Sequence, residues 1–148
     1  MVSTIKNLRE IASRCRQGEP LPSDLSTWLG QSLVRFLTHE RQTIDEAFGL
    51  QRPRGGVPWW KEDAIRRRDA ALRDLARLFC PALPVTAQAK CIRTLTLRYA
   101  SSAWPRERDG EMPLTANEGT VRHWLWIAFK SGAPMPIGER QLRHVLGH

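Results

Sequence analysis

The chain predicts an all-α protein: a single compact bundle of six or seven helices over residues 1–148, with a Trp-rich central helix and a C-terminal hairpin resembling a helix-turn-helix. Three observations carry this. Apolar residues recur at spacings of three and four along most of the chain, strand-like alternation is scarce, and Pro/Gly clusters punctuate the periodic stretches. An apolar fraction of 41% with six tryptophans supplies enough large side chains for one packed core at this length.

Taken in order, Ile5, Leu8, Ile11, Ala12 and Cys15 draw one stripe on a first helix over 3–16, ended by Gly18 and Pro20. Ser23 is the expected N-cap of a second helix, to about His39, on Leu25, Trp28, Leu29, Ser32, Leu33, Phe36 and Leu37. Thr43 and Glu46 have capping-box spacing, so a short third helix should stop at Gly49. Residues 51–58, with two prolines and a glycine pair, form a basic loop. The period returns over 59–79, with Lys61, Ile65, Leu72, Leu75, Ala76 and Phe79 on one line. A fifth helix, capped by Thr86 and reaching Ala103, turns Val85, Ile92, Leu95, Tyr99 and Ala103 inward. Residues 105–119 read as a polar connection. Thr120 then caps 121–130, apolar nearly all round and so expected at the bundle's centre, and a last helix over 138–146 rests on Leu142, Val145 and Leu146.

Charge is distributed unevenly. Residues 1–50 hold six basic and six acidic side chains, 51–110 hold thirteen and six, and 111–148 hold four and three. The chain is therefore organised as neutral helices, a basic loop with two basic-faced helices, and a C-terminal helical hairpin. Nineteen of the 23 cations are arginine, whose fork binds phosphate oxygens bidentately. The predicted phosphate-gripping set is Arg66, Arg67, Arg73 and Arg77 on the fourth helix, Lys90, Arg93 and Arg98 on the fifth, and Arg52 and Arg54 in the loop. Asp63 and Asp69 stand four residues before Arg67 and Arg73, the favourable orientation for helical ion pairs, so a partly neutralised solvated face is the competing reading. Arg68 projects to the apolar side and requires a buried carboxylate or an escape to the edge. Leu97 is the converse, an apolar residue among cations.

In the C-terminal hairpin Arg140, Gln141 and Arg143 face outward, where Arg and Gln could meet guanine and adenine edges. Core packing is the competing role, because the turn between the helices is long and holds two prolines. Trp59 and Trp60 could stack on single-stranded bases, although a helix-start tryptophan is more commonly a core anchor.

The four histidines show no zinc-protease spacing, the three cysteines no zinc-site spacing, and there is no phosphate-binding glycine loop or nucleophile elbow. The expectation is a nucleic-acid-binding protein, for DNA or RNA, without catalysis, metal or cofactor. A protein-binding adaptor or inhibitor, docking its basic surface on an acidic protein or on the nucleic-acid groove of a larger complex, is the alternative. Cys15, Cys80 and Cys91 are expected as buried reduced thiols, and with no signal-peptide or membrane-span pattern a cytoplasmic location is expected.

Overall fold

The protein is all-helical: a computed structural model describes residues 2–147, with eight α-helices and no strand among them. Cα packing divides the chain into two compact units, Met1–Trp59 and Trp60–His148.

The N-terminal unit holds α1 (Val2–Gln17), α2 (Ser23–Leu37), α3 (Ile44–Ala47) and the irregular stretch 51–58. Gly18 at φ 68° ends α1 in the left-handed region that glycine enters without strain. Ile5 and Ile11 are buried, but Cys15, expected inside, is exposed on the last turn of α1. Helix α2 buries Leu25 and Ser32, and its Trp28 ring packs on Phe48 at 5.3 Å. Leu33 and Leu37, also expected inside, are exposed, because the apolar arc of α2 is wider than the face it buries. The forward half of the capping box at α3 is formed: Thr43 Oγ1 accepts from the Glu46 amide at 3.2 Å. The Glu46 carboxylate in turn accepts from the Gln42 amide at 2.8 Å, a bond that holds its pKa below the ordinary value.

The C-terminal unit holds α4 (Trp59–Phe79, entered through its first turn), α5 (Val85–Ser102), α6 (Trp104–Glu107), a 3₁₀ turn at Thr115–Asn117, α7 (Val121–Lys130) and α8 (Glu139–Leu146). Helix α6 is the element the sequence does not announce. Three of its four residues fall where a polar connection is expected. The core joins Leu72 and Leu75 of α4, Ile92 and Tyr99 of α5, Leu125 and Trp126 of α7, and Leu142 and Val145 of α8. Helix α5 is the common neighbour, packing against α6, α7 and, most extensively, α8. The ends of the predicted inward lines fail: Lys61, Phe79 and Val85 are exposed at or near helix termini.

Among the expected caps only Thr43 works through its side chain. Pro22 and Pro84 occupy the cap positions of α2 and α5, which places Ser23 and Thr86 inside their helices. The Thr120 hydroxyl donates to the Asn117 carbonyl at 2.6 Å instead of accepting from its own helix. Leu142, at 0% exposure, anchors α8, a helix too short to persist without tertiary contacts. Leu142→Ala is expected to cost about 2–5 kcal/mol of folding stability by opening a cavity, as read from the denaturant midpoint at constant m-value.

Candidate nucleic-acid interface

Helix α5 presents Lys90, Arg93, Thr94, Leu97, Arg98 and Ser101 as one exposed stripe, at the three- and four-residue spacing that places side chains above one another. No acidic residue occurs in Val85–Ser102, so the helix itself offers these cations no counter-charge. Leu97 lies within the stripe at 45% exposure. At 1.5 Å per residue, Lys90 and Arg98 are about 12 Å apart along the axis.

Helix α4 carries ion pairs on its basic face. Arg66 is paired with Glu62 at 3.2 Å and Arg77 with Asp74 at 3.0 Å, both on the surface, where such pairs contribute little to stability. The expected Asp69–Arg73 pairing gives way to a shorter one: Asp69 takes Arg68, whose Nη2 approaches Oδ1 to 2.6 Å. Arg68, with only 12% of its side chain exposed, also donates to the Pro134 carbonyl. The apolar-side arginine thus has its carboxylate. Arg73 instead reaches the Val145 carbonyl, at 3.5 Å, near the C-terminal end of α8, where carbonyls lack helical partners and positive charge is favoured. Arg93 Nε likewise donates to the Ile137 carbonyl at 3.0 Å. Arg73 and Arg93 therefore have structural partners, while Arg67 is exposed and makes no ion pair among the described residues.

Arg140, Gln141, Arg143 and His144 are exposed on α8. Arg140, Gln141 and His144 line a groove of about 600 Å³ whose other wall includes Ile65 and Arg68 of α4. Trp60 is 60% exposed beside a second recess of about 420 Å³, so it is not the core anchor expected of a helix-start tryptophan, whereas Trp59 is half-buried. Arg52 and Arg54 are exposed on the 51–58 loop of the N-terminal unit.

Sequence reasoning missed Arg122. It lines a cavity of about 410 Å³ with Arg98, over a floor that includes Leu95, Val121 and Leu125. Its Nη2 lies 3.3 Å from Oε1 of Glu107, a carboxylate on α6 whose side chain is 6% exposed. The Tyr99 hydroxyl donates to the other oxygen, Oε2, at 2.7 Å, and Trp126 Nε1 donates to the Glu107 carbonyl at 3.0 Å. A lone arginine near the start of a largely apolar helix was the available signal; its partner lay in a stretch read as loop.

Comparison of the chain with known protein families, with curated proteins and with solved structures finds no match. Among the described residues no helix is long and apolar enough to cross a membrane, and no cluster of His, Cys, Asp or Glu could hold a metal ion.

Arg68→Ala is expected to cost about 1–3 kcal/mol by leaving Asp69 without its cation, a loss visible in denaturant unfolding. Tyr99, the one tyrosine of the chain, has its pKa raised by burial and then by its bond to Glu107. A folded-state pKa above the unfolded value of about 10 gives stability that is present below that pH and lost as pH rises beyond it. Tyrosinate absorbance should therefore appear above the ordinary range and together with unfolding, and Tyr99→Phe should remove this alkaline component of the stability curve.

Proposed function

We propose that the protein is a non-catalytic nucleic-acid-binding protein that grips phosphates through its arginine-rich helical surface. The observation that carries the reading is the α5 stripe, in which Lys90, Arg93 and Arg98 are exposed on a helix devoid of acidic residues. Over the roughly 12 Å that separate Lys90 from Arg98, duplex DNA presents about seven phosphate charges. Three cations in line can each displace condensed counterions there. Arg67, Arg66 and Arg77 of α4 extend the set, the last two by exchanging a weak surface carboxylate for a phosphate. Arg52 and Arg54, on the 51–58 loop of the N-terminal unit, are a separate set of phosphate contacts, and Arg73 binds through the guanidinium donors that Val145 leaves over.

In the finer form of this reading α7 and α8 act as a helix-turn-helix-like pair, with Arg140 and Gln141 of α8 meeting base edges and Arg143 a phosphate. The exposure of these side chains and the recess beside Arg140 and Gln141 support that role. Exposed Trp60 is suited to stacking on an unpaired base. The second reading, docking on an acidic protein surface, draws on Leu97, an apolar side chain that phosphate has no use for.

Fluorescence anisotropy with random duplex and single strand, across a salt series, tests the proposal. The wild type should show a log-linear loss of affinity with salt. Lys90→Glu combined with Arg98→Glu should lower affinity at least tenfold and reduce the slope by about two, with an unchanged melting temperature. Arg140→Ala should instead weaken binding to a selected sequence and leave the slope nearly unchanged. Equal affinity of the double variant and the wild type would overturn the phosphate grip.

A further inference from the structure

The C-terminal end of α4 and the second turn of α5 bring two thiols together: Cys80 Sγ and Cys91 Sγ are 3.3 Å apart. Their backbones are held in register by bonds that do not involve sulfur. The Cys80 amide donates to the Ala76 carbonyl at 2.9 Å, which continues the α4 ladder by one residue. The Cys80 carbonyl accepts from the Gln88 side chain at 2.9 Å and from the Leu83 amide at 3.2 Å. Gln88 and Cys91 are one turn apart on the same face of α5, so the residue that grips the Cys80 backbone also sets the thiol opposite its partner. The two differ in access. Cys80 is 5% exposed, and Cys91 is half-buried.

We propose that Cys80 and Cys91 are a site of reversible oxidation, converted to an intramolecular disulfide by exchange with a low-molecular-weight disulfide. The more accessible Cys91, as thiolate, attacks one sulfur of the small disulfide and expels the first small thiolate. That thiolate takes the proton of Cys80, whose sulfur attacks the Cys91 sulfur of the mixed disulfide and expels the second small thiolate. Two protein thiols are oxidised and one small disulfide is reduced to two thiols. Burial, then the bond to Cys91, pushes the Cys80 thiol up to about 11, which suits it to the second, intramolecular step and not to first attack. Closure depends on the native packing, because only the folded chain holds the two sulfurs within about one bond length of bonding distance. The product ties the end of α4 to α5 across the turn at 81–84.

The test uses the full chain with Cys15→Ser, since Cys15 is an exposed thiol open to the same reagent. The protein is equilibrated in mixed reduced and oxidised glutathione, alkylated and weighed, both folded and in denaturant. The expected result is loss of both thiols together, a mass lower by two hydrogens with no glutathione retained, and one cross-linked peptide pair carrying Cys80 and Cys91. Dithiothreitol should reverse it. The disulfide fraction should be at least tenfold higher in folded than in denatured protein at the same glutathione ratio. Cys91→Ser should leave folded Cys80 unmodified. Arrest as a glutathione adduct on Cys91, or equal oxidation of folded and unfolded chains, would overturn the proposal, and this comparison stands even if Cys91→Ser does not fold.

Discussion

The buried carboxylate of Glu107 fixes the geometry on which the C-terminal unit depends. A charge at that depth is tolerated only when its oxygens are occupied, and here Tyr99 of α5 and Arg122 of α7 take one each. The backbone carbonyl of the same residue receives the indole of Trp126. One residue of a four-residue helix thus sets the separation of α5 and α7. Around it Tyr99, Trp104 and Phe129 pack ring against ring at 5.2–6.3 Å, which makes the joint rigid as well as neutral. The orientation of the α5 stripe toward solvent follows from that joint.

Arginine takes two kinds of position in this unit, bonded to a distant backbone carbonyl or not, and geometry rather than side-chain type decides which. Arg68, Arg73 and Arg93 donate to carbonyls at Pro134, Val145 and Ile137, three positions in or beside the last helix. A guanidinium carries five donors, so one such bond leaves others for a ligand, but it also ties the side chain down. A count of basic residues therefore overstates the number of mobile cations. Arg67, Arg98 and Lys90 make no such carbonyl bond among the described residues, whereas Lys130 donates to the Arg108 carbonyl while it lies 5.6 Å from the centre of the Trp126 ring.

Periodicity made the long helices legible. The stretch expected as 59–79 is α4, and 121–130 is α7, because each carries an apolar line bounded by residues that break a helix. The Thr43 cap was legible because it is a local bond between residues three apart. What the sequence could not disclose are the long-range choices. Asp69 sits four residues before Arg73, yet it pairs with Arg68 because the packing of the 134–136 segment holds that guanidinium beside it. Glu107 was hidden for the same reason, since nothing within a turn of it marks a buried acid. At the candidate interface, the exposure of Lys90, Arg93 and Arg98 could be read from helical phase. The structural partners of Arg73 and Arg93 could not, as they lie 72 and 44 residues away along the chain.

Those distances bear on how the molecule opens. Helix α8 has eight residues, too few to hold their own backbone bonds in water, and its side-chain ties come from helices far upstream. It cannot unwind by gradual fraying while staying docked, nor stay helical once undocked. Its departure is a single event that uncovers Leu142 and Val145 and releases the Arg73 guanidinium from the Val145 carbonyl at the same moment. A local opening at this end of the chain therefore lays bare apolar core and a freed guanidinium together rather than one after the other.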